Sequence, residues 1–472
     1  MGKRQAVLES FQGDISPIQR GSTPLFNERI KVNMKTGLER IREKAKVDKH
    51  LKFSSLAHHI NSNKIKEAVK AIPKRTAIGV DGLDYQATIQ NFDHWSSKFI
   101  RDLHNKGYAP PPVKRVYIPK PGKKAMRPIG IPCIADRACQ KAVSDVLSAV
   151  YEEDFCDTSF GGRKGIGAHH ALATLEEILY RRKVGWVIEA DLKNFFGSLS
   201  HSWIIKFFRH RISDPRIISL LRRWLKAGVM ENDRIEETSI GTPQGGPVSV
   251  LVSNVCLHYV LDLWFEKVVK PRMRGEVYLV RYLDDFVICC QYRGDARKIF
   301  EAMQRRLTKF GLELESSKTE LIEFGRFAKQ NSIRYNRKLK PIYFLGFTIV
   351  GSFNHKGNYC IRFKTEKSRY RRALAKIKEQ LRKNRHRPLR EQSTSLNRLL
   401  SGLYNYYGVS SNANFLRKLY YFSEKYWRKV LSSRSQKGKL NWEKYRKIKG
   451  YFPIEKPRVY HSYVKLGEMA IL

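Results

Sequence analysis

Acidic residues are scarce in this chain: 472 residues carry 44 Asp and Glu against 90 Lys and Arg, a net charge of +46. That imbalance argues against a small acidic substrate as the main partner and suits a long polyanion, with binding that weakens steeply as salt rises. Cysteine is sparse too. The seven thiols, at 133, 139, 156, 256, 289, 290 and 360, include no Cys-x-x-Cys spacing. They therefore offer neither a zinc site nor a disulfide framework and read as reduced thiols of a cytoplasmic protein. No signal peptide and no apolar run of about 18 residues stands out, so the expectation is a soluble protein with no membrane partner. No internal repeat is visible. What is present is a chain long enough to bury a large core in several subdomains.

Against this basic background two adjacent aspartates, Asp284 and Asp285, interrupt the apolar run Val277-Tyr-Leu-Val-Arg-Tyr-Leu-Asp-Asp-Phe-Val-Ile-Cys-Cys-Gln-Tyr292. An isolated Asp-Asp pair is usually a turn or a helix cap. Inside a buried strand such a pair is costly unless something compensates it. Side chains alternate along a strand, so neighbouring carboxylates converge on one target only if the chain turns there, as in a tight hairpin. A third carboxylate lies upstream in Trp186-Val-Ile-Glu-Ala-Asp191, where Trp186, Ile188 and Ala190 share one face and Val187, Glu189 and Asp191 the other. Oxygen ligands of this kind suit Mg²⁺, held at about 2.0 to 2.1 Å with room left for substrate phosphates. Two such ions about 3.5 to 4 Å apart would activate a 3′-hydroxyl and stabilise leaving pyrophosphate, with Mn²⁺ as a substitute.

Several blocks then point to one family. Tyr282-Leu283-Asp284-Asp285 resembles the Tyr-x-Asp-Asp signature of reverse transcriptases, and Gly241-Thr-Pro-Gln-Gly-Gly-Pro-Val-Ser249 resembles a block of the group II intron-encoded reverse transcriptases. Lys120-Pro-Gly-Lys-Lys-Ala-Met-Arg-Pro-Ile-Gly-Ile-Pro132 is similar to their fingers block, and Phe344-Leu-Gly-Phe347 to their palm-to-thumb block. Ala77-Ile-Gly-Val-Asp-Gly82 is similar to their N-terminal extension and Ser401-Gly-Leu-Tyr-Asn-Tyr-Tyr407 to their thumb, or domain X. The blocks follow in family order from about residue 77 onward.

The resemblance implies an α+β right-hand polymerase: an N-terminal extension over 1–85, fingers over 86–185, an antiparallel-sheet palm over 186–360 and a helical thumb, the maturase domain X, over 361–472. It implies Asp191, Asp284 and Asp285 as the Mg²⁺ site and Lys318 as a general acid toward pyrophosphate, a surface lysine being the plain alternative. Lys120, Arg127, Phe196 and Gln244 would bind the incoming nucleotide. Arg suits bidentate phosphate contact, whereas Lys120 reads equally as a solvated loop lysine. Phe196 would lie under the sugar and clash with a 2′-hydroxyl, which implies deoxynucleotide selectivity. Glycines 241, 245 and 246 would let backbone approach the nascent base pair; the plain alternative is a flexible turn.

Departures from the family pattern accompany the matches. Gly197 stands where an aspartate is usual, Leu283 replaces a common alanine, and Ser159-Phe-Gly-Gly-Arg163 keeps Arg163, a candidate template contact, but lacks the second arginine of that block. Residues 361–472 hold 29 basic and 7 acidic residues interleaved with aromatics. A thumb gripping template-primer duplex and structured RNA accounts for both features, with Arg371 and Arg372 as candidate RNA contacts. For each aromatic ring, core packing is the better reading than base stacking. Segments near 326–340 and 351–358 read as hydrophilic loops. Beyond the thumb, no histidine and cysteine pattern of an endonuclease appears.

The implied activity is RNA-directed DNA synthesis, with help to intron splicing and mobility, in a bacterial cytosol or nucleoid. RNA template, DNA primer or RNA–DNA duplex, and dNTP are the implied partners. Two alternatives stay open: an intron-free relative acting in DNA repair or phage defence, and a non-catalytic RNA-binding splicing cofactor.

Overall fold

The computed structural model describes residues 37–119, 126–231, 234–236, 241, 245–435 and 440–471. Eleven strands are formed by these residues: β1 Val113–Pro119, β2 Met126–Ile131, β3 Trp186–Asp191, β4 Val229–Glu231, β5 Arg234–Glu236, β6 Val277–Tyr282, β7 Asp285–Cys290, β8 Glu320–Glu323, β9 Ile342–Phe344, β10 Phe347–Phe353 and β11 Tyr359–Thr365. They make three sheets, ordered β6-β7-β3-β8, β2-β1-β4-β5 and β11-β10-β9.

The first sheet is antiparallel throughout, and its period-2 pattern separates two cores. Ile188, Ala190, Leu279, Phe286 and Ile288 face one core, built with the helices Ile134–Tyr151, His201–Phe208 and Arg293–Lys309. Val187, Val280, Val287 and Cys289 face the other, shared with helix Ala168–Arg181, with Phe344 and Phe347, and with the C-terminal helices. Such a strand pattern, apolar on both faces, requires cover on both sides. Because Asp191 and Asp285 fall on the same face as Val187 and Val287, the catalytic candidates emerge on the thumb side of the sheet.

The second sheet contains the fingers hairpin, in which β1 and β2 pair from Lys114↔Ile131 to Pro119↔Met126. The thumb side is helical: Lys367–Lys383, Leu389–Tyr407, Ala413–Ser432 and Trp442–Tyr451. Ile377, Leu381, Leu396, Leu400, Tyr404, Leu419 and Trp427 form their apolar seams and are essentially inaccessible to solvent. The Trp427 indole donates to Gln392 Oε1 at 2.9 Å, so its one polar atom is satisfied inside the seam. These rings pack as expected of core, whereas Tyr421 stays exposed.

Two expectations are corrected here. A helical run from Pro247 to Arg272 is long and apolar enough to cross a membrane by length and composition, but 78% of its apolar window is buried inside the protein. It is the core helix, interrupted by π-turns at His258–Asp262 and Phe265–Val269. The 326–340 segment is not simply loop either, since Ala328–Arg334 is helical and docks on β8.

Candidate functional site: three carboxylates at a strained hairpin

β6 and β7 are joined by a two-residue turn, Leu283-Asp284, and Tyr282 pairs with Asp285 across it. Asp285 also lies directly opposite Asp191 in the β3–β7 register. The hairpin thus draws the two strand-end carboxylates together, with Asp284 beside them in the turn. Leu283 holds a left-handed backbone, φ +57°, a conformation that costs a side-chain-bearing residue about 1–2 kcal/mol.

A buried network holds that strained turn. Arg281, on the opposite face of β6, is wholly inaccessible, and its guanidinium donates to both oxygens of the equally buried Asp262 at 2.7 and 2.6 Å. It also donates to Asn254 Oδ1 at 3.1 Å, Ser159 Oγ at 2.6 Å and the Leu283 carbonyl at 3.2 Å. Asp262 closes the first π-turn, so the extra residue per turn belongs to the segment that aims its carboxylate at Arg281. The Leu283 side chain lies over Gly161 and Gly162, where an added Cβ at 161 would fall 2.6 Å from Leu283 N. Arg281 and Asp262 escaped the sequence reading, although each stands as a charge among apolar neighbours in Leu-Val-Arg281-Tyr-Leu and Val-Leu-Asp262-Leu-Trp.

The carboxylates are crowded. Burial, then Asp191 and Asp284, push the Asp285 carboxyl up to about 8. Burial and Asp191 raise Asp284 as well, while Lys318 and Arg127 pull it back. Lys318 rests its ammonium on Asp191 Oδ2, delivered there because Glu315 N–H donates to the Asp191 carbonyl at 2.8 Å. Burial opposes that ammonium, but the three aspartates outweigh it and raise its pKa. The Asp285 carboxylate accepts from the Leu345 N–H, and the Tyr406 hydroxyl donates to the Leu345 carbonyl at 2.8 Å. The palm-to-thumb block therefore braces Asp285, a role not legible from its sequence.

Among the described residues no three His, Cys, Asp or Glu side chains close into a ready metal cluster. The donor set nevertheless fits a hard divalent cation, because it is all oxygen and carries like charges that such an ion would neutralise.

Around the carboxylates, Phe196, five residues after Asp191, is half-buried on the short helix Phe195–Ser198. Gly197 lies against Asn194: an added Cβ would fall 2.5 Å from its amide, so the aspartate usual in the family would not fit here unchanged. Gly241, at φ +91°, packs on the Phe196–Gly197 backbone, and Gly245, at φ +131°, packs on the Gly130 carbonyl of β2. Those two glycines thus fit the block to neighbouring protein, a structural reason that stands beside the expected approach to a base pair. Lys120 and Gln244 lie outside the described residues. Arg127 is exposed on β2 and within electrostatic reach of Asp284.

Of the three RNA candidates, Arg371 is exposed and Arg372 half-buried on the Lys367–Lys383 helix. Arg163 is withdrawn as a template contact. Its guanidinium is only 8% exposed, paired with Glu152 at 2.9 Å and donating to the carbonyls of Cys156 and Ser159 at 3.1 and 2.8 Å. These bonds use it as a strut for the loop that carries Gly161 and Gly162.

The family described as reverse transcriptase (RNA-dependent DNA polymerase) matches residues 118–349. Group II intron-encoded protein LtrA of Lactococcus lactis subsp. cremoris is 39% identical over 173 residues, 35% of this chain and 28% of LtrA. Residues 118–349 thus match a reverse transcriptase domain, and the similarity extends to a group II intron-encoded protein. Protein YkfC of Escherichia coli (strain K12) shares 38% identity with it over 202 residues, 42% of this chain and 52% of YkfC. A putative COX1/OXI3 intron 1 protein of Saccharomyces cerevisiae shares 24% over 307 residues, 54% of this chain and 36% of the yeast protein. The chain thus spans between about a quarter and a half of the length of these relatives. A reverse transcriptase domain has a right-hand polymerase fold, to which the mixed helix and sheet architecture conforms, and the family in general uses divalent metal ions.

Proposed function

We propose that this chain extends a DNA primer on an RNA template and assists the splicing and mobility of an intron RNA. The observation that carries the reading is the pairing of Asp191 with Asp285 across β3 and β7, with Asp284 in the turn beside them. Asp191 and Asp284 would hold two Mg²⁺, or Mn²⁺ in substitution, with Asp285 in support through its bond from Leu345. Bound there, the metal would supply charge neutralisation for in-line phosphoryl transfer.

The remaining work falls to the chain's own groups. Lys318, positively charged beside the carboxylates, would deliver a proton to the departing pyrophosphate. Arg127 and Lys120 would grip the triphosphate, Gln244 the nascent pair, and Phe196 would exclude a 2′-hydroxyl. Arg371 and Arg372 would contact RNA along the thumb, whose basic excess suits a polyanion. The domain limits read from the sequence, and a setting in bacterial cytosol or nucleoid, belong to the same proposal. A repair or defence enzyme freed from its intron, or a purely RNA-binding cofactor, is not favoured, because relatives are named as intron-encoded proteins.

Asp284→Asn tests the reading. Primer extension is expected to fall by at least a thousand-fold while RNA affinity stays within about two-fold; retained extension would refute the metal assignment.

A further inference from the structure

Between β8 and β9, residues 324–341 contain Arg326, Lys329, Arg334, Arg337, Lys338 and Lys340 and no Asp or Glu. The same stretch leaves Phe327, Ile333 and Tyr335 70%, 74% and 53% exposed. Large apolar side chains held in water among cations mark an interaction surface better than a core that failed to close.

The surface is built. Asn331 Nδ2 donates to Glu323 Oε1 at 2.7 Å and ties the short helix to β8, while Lys340 pairs with Glu320 where the chain returns. A left-handed Asn336, φ +46°, turns the chain so that Arg337 N–H meets the Ser332 carbonyl at 2.9 Å. The turn brings the Arg337 guanidinium over the Tyr335 ring at 5.2 Å, with Arg334 at 5.6 Å. Beside it runs a groove of about 760 Å³, lined in part by Lys329, Lys340, Lys364, Lys367 and Arg371.

The helical part of this face is separated from the carboxylates, while the chain's return at Lys340 meets Glu320, which pairs with Glu189, two residues from Asp191. Glu323 pairs with Trp186, the end of β3 opposite to Asp191, roughly 17 Å away at the rise of a strand. Cations that track phosphates, alternating with rings on which bases stack, are what unpaired nucleotides require. We propose that this face is a second RNA-binding surface, taking unpaired nucleotides of a folded RNA outside the polymerase cleft. The proposal rests on the reading of the chain as an RNA-dependent enzyme and adds where that RNA is held.

The probe is a fluorescent RNA hairpin with a twelve-nucleotide loop, titrated at several salt concentrations against the full chain. Phe327→Ala with Tyr335→Ala should weaken binding about ten-fold or more. Tyr335→Trp alone should retain it. Arg334→Glu with Arg337→Glu should weaken binding and flatten its salt dependence. Extension of a DNA primer annealed to a short RNA template should stay within two-fold of the parent in all of them. Hairpin affinity unchanged in both double variants would overturn the proposal. So would a change only in oligomeric state, which would make the face a contact between copies of the chain. A parent chain that binds the hairpin but extends no primer would sink the polymerase reading and leave this one standing.

Discussion

Removing the charge of Asp262 exposes what holds the turn between β6 and β7. In Asp262→Asn the Arg281 guanidinium keeps its charge at a site with no access to water. Breaking a buried pair from one side costs about 3–5 kcal/mol, a large fraction of a domain stability of about 5–15 kcal/mol. Denaturant unfolding of the variant should show that loss. The double variant Asp262→Leu/Arg281→Met removes both charges and should recover most of it, since apolar replacement of a buried pair is often neutral or better. Recovery should be incomplete, because Ser159 and Asn254 lose a donor. Activity should part from stability. Without Arg281 nothing donates to the Leu283 carbonyl from below, so a hydrogen bond from a charged group worth about 1.5–3 kcal/mol no longer restrains the left-handed turn. The double variant should then lose ten-fold or more in kcat at nearly constant KM for dNTP. A single variant within 0.5 kcal/mol of the parent, or a double variant with parental kcat, would refute the reasoning.

Other expectations concern single side chains. Phe196→Ala should admit ribonucleotides at least ten-fold more readily in a competition between dNTP and rNTP; unchanged discrimination would remove Phe196 from the sugar site. Tyr406→Phe deletes the hydroxyl bond to Leu345; stability should fall by about 0.5–1.5 kcal/mol, and extension should fall too if Leu345 braces Asp285. Burial, aided by Glu177, pushes Glu176 up to about 7 from 4.5. A raised carboxyl is protonated in the folded state between those values, so its cost is absent below pH 4.5, grows above it and is complete above pH 7. Glu176→Gln should therefore stabilise the protein by about 3 kcal/mol at pH 8 and hardly at all at pH 4.5, as followed by unfolding at both pH values.

Linear signals were enough for much of the palm. Apolar runs marked β3, β6 and β7, alternation marked the two faces of β3, and the paired aspartates required a hairpin between β6 and β7. A strong basic excess pointed to nucleic acid because charge is additive along a chain and survives any fold. Helical spacing likewise places Val248, Leu251, Val252, Val255 and Tyr259 on one face as core, and the first four are buried while Tyr259 is half-buried.

What the sequence could not decide were partners brought together by packing rather than by local spacing. Arg163 and Arg281 are the same residue type, each near a family block, yet both are internal struts, because Glu152 and Asp262 happen to be folded beside them. Arg371 stays exposed because no acid reaches it among the described residues. Glycines that read as room for a ligand also make room for Gly130 and for the Phe196–Gly197 turn. A residue type and its spacing determine which chemistry is available, since those follow from covalent structure and local periodicity. Which groups are buried, paired or aimed at a common point depends on how separate elements pack, from Arg163 with Glu152, 11 residues apart, to Arg281 with Ser159, 122 apart, and only the tertiary structure supplies that.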